Sequence, residues 1–181
     1  EVLSAREIVA PLTLPMCAPI GDGAAAVIVV SEAFAKKIGK RRCIRVNASS
    51  LHSGWEPAAG EQAMVSSAVT ELFEQAGVGA EDLHCVELHD VSAISEIKYY
   101  EYLGLCATGL GGEYVASGAS SLGGRVPVNT SGGLMRKGHP IGATGAAQIV
   151  ELVMQLRGEA GARQVSGARL ALAENGGGYI G

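Results

Sequence analysis

Gly132-Gly133-Leu134-Met135-Arg136-Lys137-Gly138-His139-Pro140-Ile141-Gly142-Ala143-Thr144-Gly145 sets a histidine on a glycine-dense turn that runs directly into a helix. Glycine permits positive φ and close backbone approach, and Pro140 sits where a helix start tolerates it. The free N–H groups of the first helical turn then face whatever lies beside His139. An anionic or enolate-like oxygen is favoured in that position. A helix-entry turn with a structural histidine would use the same residues, so the reading depends on two further constellations.

His89-Asp90-Val91-Ser92 brings a second histidine directly after the apolar run Cys85-Val86-Glu87-Leu88, which predicts a strand leading into a helix from Ala93 to Leu103. Ligands of α/β sheets bind beyond the carboxyl ends of strands, so His89 and His139 are expected to share one pocket although about 50 positions separate them. The third constellation is Ala171-Leu172-Ala173-Glu174-Asn175-Gly176-Gly177-Gly178-Tyr179, a strand that breaks into a triple-glycine turn carrying Asn175. Backbone amides of such a turn can form an oxyanion hole.

In this order, HDxS, then SGGxxxKGHPIGATG, then a glycine-rich strand end, the residues resemble the carboxyl-terminal half of the thiolase superfamily. The resemblance is to the branch of sterol-carrier-protein-type and lipid-transfer-protein thiolases, which are acetyl-CoA acetyltransferase-like. Asp22-Gly23-Ala24-Ala25-Ala26, Tyr100-Glu101-Tyr102-Leu103-Gly104-Leu105-Cys106 and Gln155-Leu156-Arg157-Gly158-Glu159-Ala160-Gly161 extend it along nearly the whole chain. It implies an α/β, thiolase-like fold: a βαβαβαββ carboxyl-terminal domain with a five-stranded mixed sheet. That domain would occupy 31–181 without its final strand, and 1–30 would hold the last strand of an amino-terminal domain. The nucleophile-bearing half would then belong to a longer protomer, packed against the apolar helix Gly142 to Leu156 and assembling as a homodimer or tetramer.

By the same resemblance, His139 is the base that activates a cysteine in the missing half, and His89 orients the thioester oxygen. Asp90 fixes the local turn, and Gly133 and Gly138 lie against substrate. Matching the late Cys-x-Gly turn without a gap puts Asn175 at the cysteine and Gly177 at the oxyanion-hole amide; anchoring on the glycines puts Glu174 there instead. Both family sites for a second cysteine are empty, because Val91 occupies the other one. Asparagine cannot shuttle a proton near neutral pH, which leaves Tyr179, Glu174 and His89 as acid/base candidates.

The activity so implied is acyl transfer on a 3-ketoacyl-CoA with a fatty-acyl or sterol side chain, with coenzyme A thioester as substrate and no metal or other cofactor. The missing cysteine keeps two alternatives open. One is a retro-aldolase that cleaves a 3-hydroxyacyl-CoA together with a small OB-fold partner, and the other is a noncatalytic subunit on the same fold. A bacterial cytoplasmic protein is the expectation, with peroxisomal and mitochondrial placement also compatible.

Composition agrees with a packed enzyme domain. In 181 residues, 48% are hydrophobic and 18% charged, enough for a real core. A net charge of -4 without a basic cluster argues against a nucleic-acid partner, and no apolar run is long enough for a membrane span. The four cysteines, Cys17, Cys43, Cys85 and Cys106, lack metal-ligand spacing and are expected to be reduced packing residues, with Cys17 the least clear.

Along the chain, the pattern predicts coil to Pro19 and a strand from Ala24 to Val30. Ser31 caps a helix to Lys37, and a strand follows over Arg42 to Ala48. A loop holds the single tryptophan before an amphipathic helix from Gln62 to Ala76. Thr108 to Gly124 is expected to be an irregular loop beside the pocket, Val126 to Asn129 an extended stretch, Ala143 to Arg157 a helix and Ala168 to Ala173 the last strand.

Overall fold

The computed structural model describes residues 1–39, 42–53 and 64–177. A short hairpin, β1 (Glu7–Val9) and β2 (Leu12–Thr13), occupies the opening stretch expected to be coil. Helix α1 (Glu32–Lys37) follows, with the Ser31 hydroxyl accepting from the Phe34 N–H as an N-cap should. Next come α2 (Met64–Ala76), β3 (Cys85–Glu87), α3 (Ala93–Tyr102), α4 (Gly111–Ala116), α5 (Gly133–Lys137), α6 (Thr144–Arg157) and β4 (Ala171–Ala173). The expected helix start at Gln62 and the loop around Trp55 lie outside the described residues.

Strands β3 and β4 pair in parallel, with Cys85, Val86 and Glu87 opposite Ala171, Leu172 and Ala173. A parallel bridge from Val86 to Val128 adds the predicted extended stretch on the other side. The alternation of β3 separates two layers. Val86 points into a core with Val69, Leu88, Tyr99, Leu103 and Val126, beneath α2, α3 and α4. Cys85 points the other way, into a smaller cluster with Leu152 of α6 and Val165.

The five-stranded mixed sheet is not formed among the described residues, where this sheet has two strands and a bridge. Ala24 to Val30 and Arg42 to Ala48, both expected to be strands, make no ladder. Apolar alternation marks a surface that wants cover, but a strand also needs a partner edge, and neither segment pairs with one among the described residues. Ile28 and Val29 accordingly stand 91% and 83% exposed.

Thr108 to Gly124 also departs from expectation, because α4 lies within it. Its glycines read as a loop, yet Gly111 is what lets α4 approach α3: a Cβ there would sit 2.5 Å from the Ile97 carbonyl oxygen. Tyr114 then packs on Tyr100 with ring centroids 5.3 Å apart.

Helix α6 is amphipathic in reverse. Its buried stripe is Thr144, Gln148, Glu151, Leu152 and Gln155, mostly polar, while Ile149 is exposed and Val150 and Val153 are half-buried. The inward polar side chains are bonded except at Gln148 Oε1: Gln148 donates to the Glu174 carbonyl oxygen, Glu151 accepts from Thr130 and Arg163, and Gln155 donates to Thr130 and to the Arg163 carbonyl. These bonds hook three loops to one rigid helix.

The cysteines behave as expected of packing residues where burial is complete. Burial pushes the Cys85 thiol up to about 12, with Glu87 and Glu151 adding to the shift. Iodoacetamide at pH 8 is therefore expected to alkylate the exposed Cys43 and leave Cys85 unmodified until the protein is denatured, as read by peptide mass mapping. Equal labelling of both in the native protein would contradict this packing.

Candidate active site

Parallel pairing ends β3 and β4 side by side, and each strand passes straight into a turn that carries candidate site residues. From β3 the chain continues through Leu88 to His89 and Asp90; from β4 it continues to Glu174 and Asn175. Backbone and side-chain bonds tie the two turns together. Glu174 N–H donates to the Glu87 carbonyl at 2.8 Å, and His89 N–H donates to the Glu174 carboxylate at 3.1 Å. Asn129, in the left-handed region at φ 52°, accepts from the Leu88 N–H and so fixes the residue just before His89.

His89 and His139 meet here, edge to face, with ring centroids 4.9 Å apart and planes at 88°. Each ring has one nitrogen committed to a neighbour. His89 Nδ1 lies 3.2 Å from Asn175 Oδ1, and His139 Nδ1 lies 2.8 Å from the Thr144 hydroxyl. Burial lowers the pKa of His89, and His139 beside it adds to the effect while Asn175 opposes it, so the site favours the neutral ring. Asn175 also packs over the first turn of α6, within 3.6 Å of where a Cβ on Gly145 would lie.

Asp90 holds the other loop. Its carboxylate accepts the Leu134 N–H at 2.7 Å and the Met135 N–H at 3.3 Å, capping α5, the short helix that ends at Gly138 and delivers His139. Burial raises its pKa and these two N–H groups pull it back. Gly133 is required beneath it: its φ is +61° and a Cβ would collide with the Asp90 carboxylate. Gly133 and Gly138 are both buried inside the chain, Gly138 facing the Pro19 carbonyl. Lys137, at the far end of α5, reaches the buried Glu87 at 3.7 Å.

Asp90→Ala removes both acceptors and leaves the buried Leu134 N–H and the half-buried Met135 N–H unpaired, for which we expect a loss of about 2–3 kcal/mol in urea unfolding. A loss within experimental scatter would mean that α5 needs no cap.

Glu174 is the most perturbed carboxyl beside the histidines. Burial pushes it up to about 7, against the His89 N–H and the Tyr99 hydroxyl, which favour its charged form. The predicted oxyanion residue Gly177 is exposed at the end of the described chain, and Tyr179 lies outside the described residues. Val91, in the turn position where a second cysteine was sought, is 41% exposed.

Two contributors escaped the sequence reading. The segment Ala18 to Ile20 threads between the two histidine loops: Ala18 N–H donates to the Val91 carbonyl and His139 N–H to the Pro19 carbonyl. Thr144 was in plain view within the glycine-rich motif, but its role depends on the turn folding back onto the helix start. The signal for it is the spacing of five between His139 and a hydroxyl at the start of the helix.

Comparison with known proteins gives the chain a family. A family model described as thiolase C-terminal domain-like matches residues 46–181. Sterol carrier protein 2 of Oryctolagus cuniculus is 42% identical over 97% of this chain and 34% of its own length. Benzoylsuccinyl-CoA thiolase subunit BbsB of Thauera aromatica is 42% identical over 91% of this chain and 44% of its own, and an acetyl-CoA acetyltransferase of Methanothermobacter thermautotrophicus is 39% identical over 98% and 48%. The chain thus spans between 34% and 48% of the length of these curated relatives. Among solved structures, an Ltp2-ChsH2(DUF35) aldolase superposes with a TM-score of 0.56 at 28% identity, over 60% of this chain and 28% of that one. With two histidine turns converging at parallel strand ends and a family model covering three quarters of the residues, the chain belongs to the thiolase C-terminal domain-like family.

Proposed function

We propose that this chain provides the histidine half of a thiolase-type active site and takes part in acyl transfer on a 3-ketoacyl-CoA with a fatty-acyl or sterol side chain. The observation that carries this reading is the His89 and His139 pair, 4.9 Å apart and anchored from two different loops. Coenzyme A thioester is the substrate class, and the cysteine nucleophile comes from a region of the protein outside this chain. That region also covers the outer apolar face of α6.

In this reading His139 takes the proton of that cysteine, and the thiolate attacks the 3-keto carbonyl. The bond between C2 and C3 breaks, the acyl group stays on sulfur, and the acetyl-CoA enolate takes up a proton. A second coenzyme A thiol, deprotonated in turn, attacks the acyl-cysteine and regenerates the thiolate. His89 and the Gly177 amide stabilise developing negative charge on the thioester oxygens. Glu174, close to half-protonated near pH 7, supplies the proton that no cysteine at Val91 or Asn175 can give.

Two observations favour a second reading. Both cysteine positions are empty, and the structural neighbour that superposes here is named an aldolase. A retro-aldolase would cleave a 3-hydroxyacyl-CoA without an acyl-cysteine and in company with a small OB-fold partner. The full-length protein decides between them. CoA-dependent loss of a 3-ketoacyl-CoA supports the thiolase; CoA-independent release of a ketone or aldehyde from a 3-hydroxyacyl-CoA overturns it in favour of the aldolase. Neither reaction, with every subunit present, rejects both.

A further inference from the structure

Thr144 is 1% exposed, sits at the first position of α6 and has no solvent to satisfy its hydroxyl. Two polar atoms lie within reach of that oxygen: His139 Nδ1 at 2.8 Å and the Pro140 carbonyl at 3.1 Å. A carbonyl only accepts, so the Thr144 hydroxyl bond to the Pro140 oxygen, which also takes the Ala143 and Thr144 N–H groups, uses the single hydroxyl proton. The lone pair left over faces His139, and only a protonated Nδ1 makes a bond there.

From this geometry we infer that Thr144 is a positioning residue that fixes His139 in the Nδ1–H tautomer and so leaves the Nε2 lone pair free to take a proton. The reverse assignment would aim the hydroxyl proton at Nδ1 and leave the hydroxyl and carbonyl oxygens 3.1 Å apart with no proton between them. The contrast with His89 is chemical. Its partner is the side-chain amide of Asn175, which presents an oxygen or, after a half-turn, a nitrogen, and therefore fits either tautomer. One ring is committed as a base while the other can serve as donor or acceptor. Thr144 does this without touching substrate, much as an outer partner sets the tautomer of a metal-bound or catalytic histidine. Its catalytic consequence rests on the thiolase reading above; its effect on the ring does not.

The test uses the full-length protein with 15N-labelled histidine and long-range 1H–15N correlation spectra, His139 being assigned by the signals lost in His139→Gln. The parent should show a protonated Nδ1 and an unprotonated Nε2 at a pH where the ring is neutral. Thr144→Val should mix the two tautomers at His139 and lower kcat for CoA-dependent cleavage by roughly 10–100-fold with little change in KM. Thr144→Ser, which keeps the hydroxyl, should restore both the spectrum and most of kcat.

A parent spectrum with the proton on Nε2 overturns the inference without any variant, even if Thr144→Val fails to fold. Retention of Nδ1–H in Thr144→Val, or a serine variant that folds and still shows mixed tautomers, also overturns it. An inactive parent whose His139 carries Nδ1–H would sink the thiolase reading and leave this assignment standing.

Discussion

His139→Ala in the full-length protein should lower the rate of CoA-dependent cleavage by roughly 10²–10⁴-fold, the range lost when a positioned general base is removed. The loss should fall on kcat, because in the proposed mechanism the ring moves a proton and does not anchor the acyl chain. Folding should survive the change. His139 is half-buried, and its backbone N–H still donates to the Pro19 carbonyl while the preceding α5 keeps its Asp90 cap. The cost in stability should therefore stay near the Thr144 hydrogen bond, about 1 kcal/mol. A fold intact by circular dichroism with an unchanged rate would remove His139 from the mechanism.

The same substitution separates the two activities considered above. In the thiolase reading no acyl-cysteine forms in His139→Ala, so a 3-ketoacyl-CoA substrate leaves no acyl mass on the protein. A variant that still accumulates the acyl-enzyme has a different base. Intact-mass spectrometry after rapid quenching reads this directly.

What could be read from the chain follows how local the determinant is. His89 at a strand end and His139 on a glycine turn each have a short-range signature, and the carboxyl-end rule joins them across the intervening residues. Asn175 is visible for the same reason, as a polar residue breaking a strand into glycines. Helix α4 was not visible: Gly111 and Gly112 carry the composition of a loop, and only the close approach to Ile97 shows why glycine is needed in a helix there. Ala24 to Val30 erred in the opposite sense, since its apolar pattern records a surface to be covered and says nothing about an available strand edge. The partners that give the site its chemistry, Pro19 for the His139 backbone, Asp90 for α5 and Thr144 for the imidazole, arise from folding-back contacts with no periodic signal. Glu174 is intermediate. Its position beside the glycine turn was legible, but its raised pKa depends on burial that outweighs the His89 N–H and Tyr99 hydroxyl bonds.

Glu174→Gln is expected to have the second large effect, and pH makes it diagnostic. The folded carboxyl titrates at about 7, above the 4.5 of its ordinary value, because burial penalises the charged form. A raised acid stabilises the fold fully below its unfolded pKa and loses that contribution as pH rises through the folded one. The parent should therefore lose stability between about pH 5 and 8, by as much as about 3 kcal/mol from this group, whereas Glu174→Gln should be nearly flat over the same window. Activity should follow the same titration. If the neutral carboxyl protonates the enolate, parent kcat falls as pH rises through about 7, and the glutamine variant is slower by roughly 10²-fold with that limb of the profile gone. Its remaining amide still offers an oxygen that can accept from the His89 N–H, so some ordering of the His89 turn should persist. A variant that is slow yet keeps the parent's pH limb would show that Glu174 shapes the turn and that the proton comes from elsewhere. A variant as fast as the parent would return the acid/base role to a residue outside this cluster.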